Sequence, residues 1–284
     1  MTDYSIKHSP TGALTLFDSA TGEYLHRFFG PEHESRMLYA LGCRIHQRKG
    51  ELCIGDLGLG AGFNVLAALH EIEQNNSLSQ VNIYSFDTTL GGLRLFADNS
   101  ELFGSFSCYE SIAKEALRAF EVNVSQQPKS MCFQLRNKVP VVWQYCSGDA
   151  RKTIKELDKK IHFHALFYDF FSCQKTEDLW LRGTFELFAS RLARDGILAT
   201  YSSATPVRAI LLSLGLFVGE GAPVSNALKG TLASPSLDSI HTPLDWRWLQ
   251  RFSRSQRKFF ALEDDQTKAL IERRVLEHRQ FEGK

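Results

Sequence analysis

The sequence predicts an α/β protein built on a doubly wound, mostly parallel sheet. Three observations predict it. Short apolar runs alternate with stretches whose apolar residues recur at helical spacing, from about residue 51 to 214. Gly58, Gly60 and Gly62 crowd the junction between the first such run and the helical stretch after it. Asp56, Asp87, Asp149 and Asp169 all fall at or just after the ends of strand-like runs, where open sheets of this class bind their ligands.

Taken in order, residues 10–30 form a small β-rich lead-in, with turns at Thr11-Gly12 and Thr21-Gly22 around an extended 14–17. Met37, Leu38, Leu41 and Ile45 recur at helical spacing and predict one helix over 32–47. Residues 51–56 are a strand, 63–73 a helix with Val65, Leu66, Leu69 and Ile72 on one face, and 81–87 a strand; helices follow over 90–99 and 111–122. The runs 131–135 and 141–146 flank a turn-rich 137–140, the pattern of a hairpin. A short polar helix is expected over 150–160, a buried strand over 162–168, an amphipathic helix over 179–192 stopped near Asp195-Gly196, and a strand over 197–201. Thr205 as N-cap with Pro206 at the first helical position opens a helix to about 214, ended by Gly215. From about 243 the pattern changes. Asp245-Trp246-Arg247-Trp248 leads into Arg251, Arg254, Arg257 and Lys258, and a last helix mixes Glu272, Arg273, Arg274, Glu277 and Arg279.

At 284 residues and 43% hydrophobic, the chain can bury one large core or two modest ones. A net charge of +1 excludes a histone-like basic binder but leaves room for a local basic face. No apolar run reaches the roughly 18 residues of a membrane span, and residues 1–7 lack the pattern of a secretory leader. The cysteines at 43, 53, 108, 132, 146 and 173 form no C-x-x-C and no Cys/His ligand spacing. That predicts a reduced, cytoplasmic protein without a metal site. Cys53 and Cys146, in apolar runs, read as small core residues.

The chemistry concentrates in four places. Asp56-Leu57-Gly58-Leu59-Gly60-Ala61-Gly62-Phe63-Asn64 is a glycine turn between strand and helix, where backbone amides can meet a nucleotide-like ligand. Alone it fits a dinucleotide or S-adenosylmethionine equally, and a tight turn without ligand also satisfies it. Asp87 can accept both ribose hydroxyls or cap a helix. Gly148-Asp149-Ala150 can read an adenine, with Asp149 as acceptor of the amino group, or Asp149 can cap the next helix; both roles are compatible. Tyr168-Asp169-Phe170-Phe171-Ser172-Cys173-Gln174-Lys175-Thr176-Glu177-Asp178-Leu179-Trp180 brings an acid out of a buried strand beside aromatics, a place to hold a methyl acceptor.

This last stretch resembles the D-[GA]-F-[AS]-P-x-K-N-P-[DE]-[LM]-W signature of the MnmC-type methyltransferases. Other segments agree: Thr11-Gly12-Ala13-Leu14-Thr15-Leu16, Gly22-Glu23-Tyr24-Leu25-His26, Glu34-Ser35, the loop 56–64, Thr200-Tyr201-Ser202-Ser203-Ala204-Thr205-Pro206-Val207-Arg208, and Lys229-Gly230-Thr231-Leu232-Ala233-Ser234. The resemblance covers about residues 9–234. Four departures fall on the acceptor side: Phe170 for Gly or Ala, Cys173 for Pro, Thr176-Glu177 for Asn-Pro, and Ser225-Asn226-Ala227-Leu228 for a basic lead-in.

The resemblance implies a Rossmann-like class I S-adenosylmethionine-dependent methyltransferase in its stand-alone form without the oxidase domain. It divides the chain into a β-rich lead-in (1–48), a methyltransferase domain (49–235) and a helical C-terminal extension (236–284). Its implied reaction is methylation of the aminomethyl group of wobble uridine in tRNA, with a separate enzyme installing that group. Asp169 is the implied catalytic residue. Tyr24, Asp56, Gly58, Gly60, Gly62, Asn64, Asp87, Gly148 and Asp149 are expected at the cofactor, with His26 and Glu34 closing over it. Phe171, Ser172, Lys175, Trp180 and Arg208 are expected at the substrate, and Arg251, Arg254, Arg257 and Lys258 are candidates for the RNA backbone. An aminopropyltransferase of the spermidine-synthase kind and a non-catalytic binding protein on the same scaffold are the alternatives.

Overall fold

The computed structural model describes residues 4–26, 28–122, 129–224 and 229–282; the departure at 225–228 lies outside them. The lead-in is an antiparallel sheet of β1 (Tyr4–His8), β2 (Leu14–Asp18) and β3 (Glu23–Tyr24), in that order. β1 precedes the strand-like run predicted over 14–17 and is fixed by pairing with β2, Tyr4 opposite Asp18 through His8 opposite Leu14.

The single helix predicted over 32–47 is broken. It becomes α1 (Pro31–Ser35), a π-helical turn at Arg36–Ala40, a left-handed residue at Arg44 (φ 56°) and a 3₁₀ turn at Ile45–Gln47. The wider turn, closed by Leu41 N–H donating to the Arg36 carbonyl at 2.9 Å, turns Leu38, Tyr39 and Ala40 into the core. Single π turns of this kind recur at functional sites.

The main sheet follows: β4 (Gly50–Leu57), α2 (Phe63–Glu73), β5 (Leu78–Asp87), α3 (Gly91–Asp98), α4 (Glu110–Glu121), then the hairpin β6 (Lys129–Gln134) and β7 (Pro140–Ser147). Next come α5 (Ala150–Glu156), β8 (Phe163–Tyr168), a 3₁₀ turn (Glu177–Trp180), α6 (Arg182–Ala189), β9 (Leu192–Thr200), α7 (Thr205–Ser213), β10 (Phe217–Glu220) and β11 (Thr231–Ser234). The eight strands lie in the order β10-β11-β9-β8-β4-β5-β7-β6. β9, β8, β4, β5 and β7 are mutually parallel, while β6 and β11 run against their neighbours. β5 lies on one side of β4 and β8 on the other, so the strand order reverses there and opens a crevice at the carboxyl edge.

Two further expectations change. The predicted helix over 179–192 is a 3₁₀ turn and a shorter α6, and Asp195-Gly196 lies inside β9 rather than stopping a helix. A side chain at 196 would come within 2.4 Å of the Phe163 carbonyl, so glycine there permits the irregular β8–β9 pairing. The N-cap of α7 is Ala204, not Thr205, and no side chain caps it.

Buried residues form two layers about the sheet. One joins α2, α3 and α4 to the lead-in; the other joins α6 and α7 to α8 (Trp246–Arg254) and α9 (Asp265–Leu276). The Gln280 side chain accepts from Val218 N–H at 2.7 Å and donates to the Val218 and Leu244 carbonyls, sealing the tail onto β10. Among the described residues, no helix is long and apolar enough to cross a membrane, and no group of His, Cys, Asp and Glu is arranged to hold a metal ion.

Candidate active site

The glycine loop is built as the sequence demands. Gly58, Gly60 and Gly62 have φ of 87°, 52° and 80°, a region costly for other residues. At Gly58 the constraint is doubled, because a Cβ there would lie 2.5 Å from the Asp169 backbone oxygen. Gly58 N–H donates to the Phe86 carbonyl at 2.9 Å and Gly60 N–H to Asp87 Oδ2 at 2.9 Å, tying the loop to the end of β5. Thr88 N–H and Thr89 N–H hold the other oxygen of Asp87. Burial pushes the Asp87 carboxyl up, and these backbone bonds oppose it.

The loop forms one wall of a cavity of about 690 Å³ at the carboxyl edge of β4, β5, β7 and β8. Gly148 and Asp149 contribute from β7, Asp169, Phe171, Ser172 and Lys175 from the end of β8, and Tyr24 and His26 from the lead-in. Asp149 caps α5 through the Arg151 N–H at 2.9 Å and also pairs with the Arg151 guanidinium, which holds its carboxyl below the usual range.

At the floor stands Asp169. Tyr39 O–H donates to its Oδ1 at 2.5 Å, Asn64 Nδ2 donates to its Oδ2 at 2.7 Å, and His26 Nε2 lies 3.8 Å from Oδ2. Tyr39 is fully buried, and burial together with the Asp169 charge raises its pKa well above the ordinary phenol. It therefore remains a neutral donor at any working pH. Asn64, expected at the cofactor, lines the cavity but spends its amide N–H on Asp169; its buried Oδ1 has no partner in the protein. The lead-in also clamps the loop after β8, since Glu23 accepts from both the N–H and the hydroxyl of Ser172.

Four expected site residues lie elsewhere. Asp56 is buried beneath the loop: its Oδ2 accepts from Ser85 Oγ, which in turn accepts from Trp143 Nε1, its Oδ1 has no partner, and burial pushes its pKa well up. Gly62 serves as the N-cap of α2 and meets Leu93 and Trp143 rather than the cavity. Trp180 is core, donating its Nε1 to the Phe171 carbonyl at 2.9 Å. Arg208, 5% exposed, donates to Thr231 Oγ1 and the Gly230 carbonyl, each at 3.1 Å, and faces Glu220. Tyr39 and Arg151, conversely, line the cavity without having been singled out. The signal for Tyr39 was a phenol set inside an apolar stripe.

Residues 103–236 match the model of a family described as S-adenosyl-L-methionine-dependent methyltransferases. The structure of MnmC2 from Aquifex aeolicus superposes with a TM-score of 0.69, covering 97% of this chain and 85% of its own, at 24% identity. The chain has the fold of MnmC2, and its residues 103–236 resemble the S-adenosyl-L-methionine-dependent methyltransferases. The uncharacterized protein MJ0670 of Methanocaldococcus jannaschii is 26% identical over 231 residues, 81% of this chain and 59% of that protein, so the chain spans less than two thirds of that relative. Precorrin-6y C5,15-methyltransferase from Geobacter metallireducens GS-15 aligns at 13% identity and a TM-score of 0.39 over 69% of this chain and 87% of its own.

The cavity suits S-adenosyl-L-methionine. Two carboxylates at adjacent strand ends, a turn whose glycines leave backbone open, and the orphaned Asn64 Oδ1 provide acceptors for its ribose, adenine and ammonium groups. Asp87 would take the ribose, Gly148 and Asp149 the adenine, and the loop 58–61 with Asn64 the amino-acid end.

Proposed function

We propose that this methyltransferase methylates the aminomethyl nitrogen of wobble uridine in tRNA, in the cytoplasm, after a separate enzyme has installed that group. The observation that carries the reading is Asp169, an acid fixed from two sides at the floor of the cofactor cavity and beside the loop that resembles the family's acceptor motif.

S-adenosyl-L-methionine, when bound, supplies an electrophilic methyl on a sulfonium. The residues of the chain do the rest. An aminomethyl group is a cation near neutral pH and cannot attack until it loses a proton. Asp169 attracts that cation, orients its N–H groups and takes the proton as general base, freeing the nitrogen lone pair for in-line attack. The bonds from Tyr39 and Asn64 leave one lone pair on each Asp169 oxygen for this work. Phe171 at the cavity wall offers an apolar surface to a base turned out of its stack, and Lys175, exposed at the mouth, is placed for a phosphate.

An aminopropyl acceptor such as a polyamine would need anions along the cavity. The carboxylates that line it are largely engaged, Glu23 with Ser172, Glu34 with the Phe28 and Phe29 N–H groups, and Asp149 and Asp178 with Arg151, which supports the methylation reading. The test is incubation with labelled S-adenosyl-L-methionine and tRNA from cells lacking wobble aminomethyl methylation, followed by nucleoside analysis. Label in the methylaminomethyl nucleoside is the expected result. Cofactor binding with no label in tRNA overturns it and favours the non-catalytic alternative.

A further inference from the structure

The tail beyond 236 lies outside the segments that resemble the family, yet it holds a group of exposed arginines with no ion pair among the described residues. On α8, Arg247, Arg251 and Arg254 stand at i, i+4 and i+7, so they share one face. All three are exposed, as is Arg257 just beyond the helix. Trp248 and Phe252, on the opposite face, anchor the helix in the core, where their rings stack at 5.5 Å. Trp246 opens the helix, 44% exposed, with the Arg247 guanidinium 5.8 Å from its ring.

Among the described residues, none of these four arginines pairs with a carboxylate, whereas Lys258 is spent on Glu272 and Lys229 on Glu220. The nearest acid in sequence, Asp245, is engaged in capping the helix. Four uncompensated guanidiniums beside an exposed tryptophan offer both charge and a ring to an anion with stackable bases.

The fold ties the segments that flank this helix to β10 and to the acceptor loop. The strand-like segment before α8 pairs with β10 in the opposite sense, Glu220 N–H to the Thr242 carbonyl and Leu244 N–H to the Val218 carbonyl. Burial lowers the pKa of Arg208, in the first turn of α7, and the charge of Arg251 adds to that effect. Arg208 holds the Gly230 carbonyl and Thr231, whose hydroxyl donates to the Ser202 carbonyl next to the cavity residue Tyr201. At the far end Leu262 N–H donates to Glu177 Oε1 in the acceptor loop, at 2.7 Å. The segment that follows α8 is thus tied to the acceptor loop.

We infer that the exposed face of α8, with Arg247, Arg251, Arg254 and Arg257 beside Trp246, is the surface on which the phosphate backbone of the substrate RNA lies as its acceptor nucleotide enters the cavity. This rests on the RNA reading given above. It assigns the tail to substrate capture, while the cofactor is held entirely by the preceding segments.

The test is R247A/R251A/R254A in the full chain, measured by filter binding of tRNA at several salt concentrations and by steady-state methylation of the same tRNA. These side chains are exposed and bonded to nothing buried, and unchanged melting and cofactor affinity would establish that the variant is folded. Each phosphate contact contributes about 0.7–0.9 to the slope of log affinity against log salt. The expected result is a slope shallower by about two, a rise in KM for tRNA of about 10- to 100-fold, kcat nearly unchanged, and recovery of most of the affinity in R247K/R251K/R254K. If the wild type methylates tRNA and the variant keeps its affinity and salt slope, the surface is refuted and the function stands. If the wild type binds tRNA through these arginines without methylating it, the surface stands and the function fails. If the wild type binds no RNA, both fail.

Discussion

Tyr39→Phe removes one oxygen atom and nothing else from the floor of the site, which makes it a sharp probe of how Asp169 is held. The phenol is fully buried and donates at 2.5 Å to Asp169 Oδ1, while the Asp169 side chain keeps 17% of its surface exposed. Hydrogen bonds to a charged group are worth about 1.5–3 kcal/mol. Because cavity water can reach the vacated carboxylate oxygen, the stability loss falls at the lower end, near 1.5 kcal/mol, or a few degrees of melting temperature in a chain of this size. The larger effect is expected on rate. Without Tyr39, the Asp169 carboxylate keeps, among the described residues, the bond from Asn64 and the more distant His26, and it can swing off the line of attack. A loss of 1.4–2.8 kcal/mol of transition-state positioning is about 10- to 100-fold in kcat. Single-turnover methyl transfer at saturating cofactor and RNA measures it, with calorimetric cofactor titration alongside. Cofactor affinity should stay within about twofold, since Tyr39 acts on the acceptor side. A variant that loses the few degrees but keeps its full kcat would refute the reasoning and reduce Tyr39 to a core residue.

Three other outcomes follow from the same geometry. Burial raises the Asp56 pKa in the folded state, so the folded protein holds that proton more tightly than the unfolded chain; this group's contribution to stability declines as pH rises from about 4 toward the folded value, by about 1.4 kcal/mol for each pH unit crossed. Asp56→Asn should therefore be more stable than wild type near pH 8 and lose that advantage toward pH 5, by urea midpoints; an advantage independent of pH would contradict the buried-acid account. Gly58→Ala must put a Cβ at φ 87° and 2.5 Å from the Asp169 carbonyl, so soluble yield or stability should drop by the equivalent of about 3 kcal/mol or more, and a variant with wild-type melting would show that the β4 and β8 loops can separate freely. Arg208→Ala leaves the Gly230 carbonyl and Thr231 without their buried partner and should cost roughly 2–4 kcal/mol in melting experiments, with cofactor affinity per folded molecule unchanged; a selective loss of substrate binding would return Arg208 to the acceptor site.

What could be read from the residues alone, and what could not, divides along a physical line. β4, β5, β7 and β8 are buried runs bounded by turn signals, and α2 carries its apolar face in its own spacing, so local pattern sufficed. β10 and β11 are only four residues each and exist because β11 is sandwiched between β9 and β10, contacts that no local window contains. The π turn escaped for a related reason: over a single turn, helical spacing does not distinguish 3.6 residues from a wider winding, and the partner that rewards the wider winding, Asp169, lies 130 residues away. Arg208 was misplaced although its signal was present. Val207, Ala209, Ile210, Leu211 and Leu212 make α7 apolar nearly all round, and a helix of that kind buries its charged residue along with the rest.

The departures in the acceptor loop make sense once its supports are traced. The lead-in holds Ser172 through Glu23, and the core holds the loop backbone through Tyr168, Trp180 and Tyr201, which donate to the carbonyls of Leu179, Phe171 and Phe170. Phe170, Thr176 and Glu177 join this scaffold. The Phe170 ring packs edge-on against Tyr168 at 5.2 Å, the Thr176 hydroxyl donates to the Phe171 carbonyl at 3.0 Å, and Glu177 accepts the Leu262 N–H from the tail. A loop released from function would be expected to lose such ties. Here the replaced Asn-Pro position has acquired one, and its partner lies in the segment that follows α8. The tail therefore shares in holding the acceptor loop, so a change in the tail can reach the site through Glu177 as well as through the arginines on α8.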